Sequence, residues 1–137
     1  MQYDDKRRTI SKITAIVIIM AICTVYALVA DVGKNDKGFT SVTNEEARGL
    51  MTQYGDSMAI VDVRTPEEFA GGHIGQSINM DVKNDSFDIR IKTLENCPAI
   101  LIYCRSGRRS KTAAEKAAKA LPATKIYELD SGYINWE

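Results

Sequence analysis

Residues 99–110 read AILIYCRSGRRS, an apolar pentapeptide followed at once by a cysteine and then by a basic loop around one glycine. The apolar run from Ala99 to Tyr103 predicts a buried strand. The alanine-rich segment from Ser110 to Leu121 predicts a helix that begins where the loop ends. The cysteine therefore lies between the carboxyl end of a strand and the amino end of a helix.

Cys104 occupies a position where a thiolate is stabilised. The helix dipole and the unpaired backbone N–H groups of a helix start favour negative charge. Arg105, Arg108 and Arg109 add three cations within the same short loop. A strand-end cysteine is often only a small buried apolar residue. Here strand, loop and helix together favour an anion-binding loop in which the pKa of the cysteine is lowered and the thiolate is a nucleophile.

Short apolar strands alternate with helices along the rest of the chain. Two capping-box patterns, beginning at Thr43 and Thr65, predict two of the helices. Such alternation predicts an α/β fold with a mostly parallel sheet, whose sites lie beyond the carboxyl ends of the strands. Cys104 and Arg64 both fall at strand ends of this kind. The remaining predicted elements are strands at Met58–Val63, Ser77–Met80 and Lys125–Leu129 and a short helix at Phe87–Leu94.

An uncharged and mostly apolar run of 18 residues, from Ile13 to Ala30, follows the basic residues 6–8 near the amino terminus. A helix of this length spans ~27 Å, close to the ~30 Å of a bilayer's hydrocarbon core. We expect residues 1–30 to be a signal anchor or transmembrane helix, residues 31–37 a linker and residues 38–137 the folded domain. A cleaved signal peptide is the alternative.

The charge pattern predicts where the domain lies and what it binds. The basic amino terminus stays in the cytoplasm, so we expect a membrane-anchored domain on the extracytoplasmic side, or a secreted or periplasmic domain after cleavage. Residues 31–137 contain 14 Lys and Arg against 16 Asp and Glu. This balance argues against nucleic acid as a partner. The cations concentrated around Cys104 suit a small anion.

The two cysteines of the predicted domain are not expected to pair. Cys97 precedes the 99–103 strand and Cys104 follows it. At ~3.3 Å per residue they lie roughly 20 Å apart, whereas a disulfide needs Cα atoms within about 7 Å. Cys104 is therefore expected to remain a free thiol.

Three ordered motifs point to one family. They read DVRTPEEF and GHI at residues 62–69 and 72–74, YCRSGRRS at residues 103–110, and DSGYINW at residues 130–136. Together they resemble the single-domain rhodanese-like family, which is thiosulfate sulfurtransferase-like, and the resemblance covers about Gly38 to Glu137. It implies a five-stranded parallel sheet flanked by helices, here preceded by the amino-terminal hydrophobic helix. It also implies transfer of sulfane sulfur through a persulfide on Cys104.

The implied reaction needs no cofactor and no metal. The Cys104 thiolate attacks the outer sulfur of thiosulfate or of a persulfide, and cyanide or a thiol then accepts the sulfur. Asp62 and Arg64 are expected to support the loop through an ion pair, and His73, the only histidine, is expected to be structural. The predicted substrate-binding residues are Arg105, Ser106, Gly107, Arg108 and Arg109, of which Arg109 matches the family's loop arginine.

Two alternatives remain open at this stage. The first is a non-enzymatic module that carries sulfur or binds a partner. The second, less favoured, is a phosphatase or arsenate reductase, because tyrosine-phosphatase-like loops also place a cysteine before an arginine. Those loops read Cys-x5-Arg, whereas here Ser110 stands six residues after Cys104 and Arg109 stands five after it. A smaller loop suits a sulfur atom better than a phosphoryl group.

Overall fold

The computed structural model describes residues 14–21 and 37–136, which fall into two compact units. Residues 37–136 alternate strands with helices. The strands are β1 (Thr40–Val42), β2 (Met58–Asp62), β3 (Ile78–Asn79), β4 (Ala99–Tyr103) and β5 (Lys125–Leu129). The α-helices are α1 (Asn44–Tyr54), α2 (Pro66–Ala70), α3 (Phe87–Arg90) and α4 (Arg108–Ala120).

The five strands form one parallel sheet in the order β1-β5-β4-β2-β3. β4 is the central strand, and all five of its residues are buried. A strand covered on both faces has no solvent side, which explains why its sequence is apolar without alternation. The predicted parallel α/β sheet is confirmed, and it places Cys104 at the middle of the sheet's carboxyl edge.

Each face of the sheet is covered by a separate apolar core. On one face, Ala113 and Ala117 of α4 pack over Ile100 and Ile102 of β4. Small alanines let the helix approach the sheet closely, which fixes the start of α4 just beyond the strand that precedes it. On the other face, the core residues include Val42, Ala47, Ile74, Leu101 and Tyr103.

Local capping signals agree with the folded helices. The Thr43 and Thr65 hydroxyls accept hydrogen bonds from the backbone N–H groups of Glu46 and Glu68, and both glutamates reach back to the cap. Pro66 stands at the first position of α2, where its missing N–H is not needed. The two predicted capping boxes are therefore confirmed.

The structure differs from the sequence-based elements in three places. β1 was not predicted, because its three residues have no apolar pattern and are held by pairing with β5, as in Val42 opposite Leu129. The last helix begins at Arg108 and not at Ser110. The predicted helix at 87–94 is α3 followed by a 3-10 turn from Ile91 to Leu94.

The amino-terminal unit contributes one short helix to the description. Residues 14–21 are helical, and their side chains are exposed. Within residues 14–21 and 37–136, no helix has the length and apolar character needed to cross a membrane. The structure thus gives no support to the predicted spanning helix from Ile13 to Ala30. Most of that segment, and all of the predicted linker except residue 37, lies outside the described residues.

A buried ion pair closes the carboxyl end of β2. Asp62 is fully buried and Arg64 is 4 % exposed. A terminal guanidinium nitrogen of Arg64 lies 2.6 Å from Oδ2 of Asp62 and also donates to the carbonyl oxygen of Gly72 at 2.6 Å. The pair therefore ties the strand end to the chain that follows α2.

We predict that Asp62→Ala strongly destabilises the domain. The substitution leaves the Arg64 guanidinium buried without its carboxylate, and removing one partner of a buried pair costs about 3–5 kcal/mol. The free energy of unfolding in urea at neutral pH measures the effect. Asp56→Ala, at an exposed position just before β2, is the control and should change stability by less than about 0.5 kcal/mol. Equal losses in the two variants would contradict the prediction.

Candidate active site

The loop from Cys104 to Gly107 joins β4 directly to α4. Gly107 is the residue before the helix, and its φ of 84° lies in the left-handed region. A Cβ atom at this position would overlap the carbonyl oxygen of Asp130. Only glycine fits such a position, and the resulting turn aims successive backbone N–H groups of the loop at the sulfur of Cys104.

The Cys104 sulfur is buried and surrounded by hydrogen-bonding groups. The residue is 1 % exposed, and its Sγ donates to Oγ of Ser110 at 3.4 Å. Burial raises the pKa of the Cys104 thiol, but bonds with the Ser110 hydroxyl and with backbone N–H groups of Ser110, Ser106 and Arg109 outweigh it, so that the pKa is lowered. The pKa of Cys104 is thus lowered chiefly by hydrogen bonds, among them the backbone N–H groups expected from the sequence, and not by the arginine charges.

Arg109 is tied to a second helix. Its two terminal nitrogens donate to the two carboxylate oxygens of Glu68 at 2.7 and 2.8 Å, a bidentate contact between α4 and α2. The hydrogen bond from Arg109 is the largest cause that lowers the pKa of Glu68 to about 2. The sequence identified Glu68 only as part of a capping box and gave no sign of this second contact.

The other predicted loop residues divide into exposed and buried positions. Arg105, Ser106 and Arg108 are exposed, and Gly107 is buried. Arg105 borders a cleft of about 490 Å³. The cleft is also lined by Arg64, Glu67, Glu68, Tyr133, Ile134 and Trp136.

A larger cavity, of about 530 Å³, lies elsewhere in the domain. It lies among Met58, Ile78 and Cys97, and it does not include the Cys104 loop in its lining. Because its lining contains no arginine or lysine, we assign the chemistry to the loop and to the cleft beside it.

The segment after β5 clamps the loop from outside. The backbone N–H of Tyr133 donates to the carbonyl of Cys104 at 2.8 Å, and that of Ile134 donates to the carbonyl of Arg105 at 3.0 Å. Gly132 has a φ of 67°, and a Cβ atom there would overlap the carbonyl of Arg105. The closing motif of the sequence therefore holds the backbone of the loop.

The Asp62–Arg64 pair supports the loop through Tyr133. The Arg64 guanidinium lies 4.2 Å from the ring centroid of Tyr133, whose backbone holds Cys104. His73 packs against Phe69 of α2: its Nδ1 lies 3.1 Å from the carbonyl oxygen of Phe69, and its ring stacks on the Phe69 ring at 3.9 Å. Cys97 and Cys104 are both free thiols.

A buried carboxyl group that the sequence analysis missed lies behind the thiol. Glu128 of β5 is fully buried, and it accepts hydrogen bonds from Ser110 at 2.6 Å and from Ser41 at 2.9 Å. Burial raises the pKa of Glu128, and these two hydrogen bonds oppose the rise. A glutamate between Tyr127 and Leu129 in a strand of a parallel sheet was the available signal, because such strands seldom bury an ionisable group.

Comparisons with known proteins agree with this architecture. The family described as Rhodanese-like domain matches residues 43–137. The chain is 28 % identical over 121 residues to the uncharacterized protein YqhL of Bacillus subtilis, covering 88 % of this chain and 90 % of YqhL. It is 29 % identical over 98 residues to the thiosulfate sulfurtransferase GlpE of Ectopseudomonas mendocina, covering 72 % of this chain and 84 % of GlpE.

A solved structure shows the same fold. The human single-domain sulfurtransferase TSTD1 superposes with a TM-score of 0.58 at 21 % identity, covering 70 % of this chain and 93 % of TSTD1. The five-stranded parallel sheet flanked by helices is therefore a rhodanese-like fold.

We predict that Glu68 stabilises the folded domain in a pH-dependent way. Its folded pKa of about 2 lies below the ordinary 4.5, so the unfolded chain binds the extra proton between these values and stability falls as the pH falls through that window. The free energy of unfolding of wild type minus that of Glu68→Gln should be largest above pH ~5 and shrink towards pH ~2.

The control for this series is Glu67→Gln. It removes an exposed carboxylate from the same turn of α2 without touching the contact to Arg109. A Glu68→Gln difference that is independent of pH, or no larger than the control, would contradict the prediction.

Proposed function

Because this chain belongs to the Rhodanese-like domain family, we propose that it is a sulfurtransferase that carries sulfane sulfur as a persulfide on Cys104. The donor is thiosulfate or a persulfide, and the acceptor is a thiol or cyanide. The observation that carries the proposal is the environment of the buried Cys104 thiol at the end of the central strand. Burial raises the pKa of this thiol, but hydrogen bonds with the Ser110 hydroxyl and with backbone N–H groups outweigh burial and lower it.

The proposed reaction uses the thiolate twice. The thiolate attacks the outer sulfur of thiosulfate, the sulfur–sulfur bond of the donor breaks, and sulfite leaves with the bonding electron pair. The acceptor then attacks the outer sulfur of the persulfide, and the Cys104 thiolate is the leaving group. A lowered pKa increases the thiolate population for attack and makes the same sulfur a better leaving group.

In this proposal the arginines in and beside the loop have different roles. Arg105 is exposed and borders the cleft, so its donors are available for the sulfonate oxygens of a thiosulfate dianion, whereas Arg108 is exposed at the first position of α4. The terminal nitrogens of Arg109 are engaged by Glu68. We therefore assign Arg109 to the frame that fixes the loop on α2, and no longer to substrate binding.

A phosphatase or arsenate reductase is the less supported alternative. A phosphoryl group needs an arginine fork that clamps its oxygens. Arg109 would have to release Glu68 to supply one, and the next residue, Ser110, points to the buried Glu128. The buried sulfur and the short loop suit the transfer of a single sulfur atom.

A sulfur carrier or partner-binding module is the second alternative. The cleft beside Arg105 is lined by the carboxylates of Glu67 and Glu68 and by the apolar side chains of Ile134 and Trp136. This mixed lining suits a partner protein as well as a small thiol. Turnover separates the two: an enzyme releases many equivalents of product to a small acceptor, whereas a carrier stops after one.

We predict that Cys104→Ser abolishes sulfur transfer and leaves the fold intact, because serine cannot form the persulfide. The full chain is incubated with thiosulfate and its intact mass is measured. Wild type and the Cys97→Ser control should each gain the mass of one sulfur atom and lose it with cyanide. A persulfide on Cys104→Ser, or its absence from Cys97→Ser, would contradict the assignment.

We predict that Arg109→Ala lowers kcat/KM for thiosulfate far more than Arg108→Ala. Removing Arg109 breaks the contact between the start of α4 and α2 and leaves the Glu68 carboxylate without its guanidinium partner. A charge-assisted contact is worth about 1.5–3 kcal/mol, which corresponds to roughly ten- to a hundredfold in rate. Arg108→Ala removes a charge from the preceding residue, at the first position of α4, and is the matched control. Equal losses would mean that the arginines act only as a diffuse field.

A further inference from the structure

A continuous chain of hydrogen bonds runs from the thiol to the buried carboxyl group. Sγ of Cys104 donates to Oγ of Ser110 at 3.4 Å, and Oγ of Ser110 donates to Oε1 of Glu128 at 2.6 Å. On the far side, Ser41 of β1 donates to Oε2 of Glu128 at 2.9 Å. A single hydroxyl group thus separates the nucleophile from a carboxylate.

We propose that Glu128 shares one proton with Cys104 through the hydroxyl group of Ser110, so that the thiolate forms when Glu128 takes the proton. Glu128 is then a positioning residue, since it acts on the sulfur through Ser110. The inference deepens the proposed sulfur transfer, and it is tested on the thiol itself, so that the two can fail separately.

The proton moves without a change in the number of charges. Before transfer, the Cys104 thiol donates to Ser110 and Ser110 donates to the Glu128 carboxylate. After transfer, protonated Glu128 donates to Ser110 and Ser110 donates to the thiolate, whose electron pair stays on sulfur. A hydroxyl group can donate one hydrogen bond and accept two, so Ser110 satisfies both arrangements without moving.

Burial explains why the pair keeps one proton. Cys104 and Glu128 are 1 % and 0 % exposed. Two negative charges this close in a medium of low dielectric are strongly unfavourable, so the second ionisation is displaced upwards and the two groups titrate as a pair. The pKa shifts agree in direction, because burial raises that of Glu128 while hydrogen bonds lower that of Cys104 against burial.

The charges that face Glu128 from neighbouring elements largely cancel. Lys111 of α4 favours its ionised form, and Asp130, which follows β5, opposes it. These two side chains bind each other at 2.8 Å. β1 presents Ser41, and β4 presents Ile102 in register with Glu128. No ion pair to Glu128 occurs within residues 37–136.

The shared proton gives the reaction an internal base. The thiolate forms by transfer to Glu128, and the proton stays on Glu128 while the persulfide exists. When the acceptor removes the outer sulfur, the leaving thiolate again receives the hydrogen bond from Ser110. The singly charged pair is thus restored after each cycle without exchange with solvent.

A purely structural role for Glu128 makes different predictions. If Glu128 only ties β1 to α4 as a permanent carboxylate, or as a permanently neutral acid, Cys104 titrates in one step. A shared proton instead gives two ionisations that belong to the pair. The number of steps therefore distinguishes the proposal from a structural tie.

The experiment measures the rate of alkylation of Cys104 by iodoacetamide against pH in the full chain, with peptide masses separating Cys104 from Cys97. We expect two one-proton steps with a plateau between them in wild type. In Glu128→Gln we expect one step, and alkylation about two- to tenfold faster at plateau pH, because the competing negative charge is gone. One step in wild type, or no change in Glu128→Gln, would overturn the proposal.

A second experiment, infrared spectroscopy on wild type, tests the proposal if Glu128→Gln fails to fold. In wild type at plateau pH, alkylation of Cys104 consumes the thiolate, so infrared difference spectra should show Glu128's protonated carboxyl band change together with the S–H band. A carboxyl band that stays unchanged would overturn the proposal. Glu115→Gln, which removes a partly exposed carboxylate of α4 that pairs with Lys37, is the control and should keep both steps.

Discussion

Stabilisation of a negative charge in a buried place is the constraint on which this domain depends. Cys104 is 1 % exposed, so water cannot solvate its thiolate and burial alone would keep it protonated. The protein replaces water with backbone N–H groups of the loop and the start of α4, which are fixed in direction and need no reorganisation when the charge forms. The geometry of the loop is therefore more important than the number of arginines near it.

The surrounding structure can be understood as support for that loop. Glycines at 107 and 132 allow the two backbone segments to approach within contact distance, and a Cβ atom at either would overlap a carbonyl oxygen of the other segment. The contact of Arg109 with Glu68 fixes the other side of the loop to α2. Each of these contacts comes from a different element, so the loop conformation is stabilised only in the complete fold.

The sequence predicted the elements, and the position of Cys104 at a strand end, better than it predicted the contacts. β4, Cys104 and the start of the following helix are adjacent in sequence, so local pattern was enough to place them. The bidentate pair of Glu68 with Arg109 joins residues 41 positions apart, and no local pattern indicates such a pair. β1 was missed for the same reason, since its three residues are a strand only because β5 lies beside them.

Glu128 shows why a lone buried polar residue in a strand should be related to its neighbours in the sheet. Placing its side chain next to Cys104 requires the register of β5 against β4 and the position of α4 over both, neither of which the sequence states. Once the fold is known, a fully buried carboxyl group without an ion pair in residues 37–136 is costly unless hydrogen bonds or a shared proton offset its charge. Ser41 and Ser110 supply the hydrogen bonds, and the Cys104 thiol supplies the shared proton. Burying Glu128 alone would therefore destabilise the domain, but its burial has a physical explanation once Cys104 is considered with it.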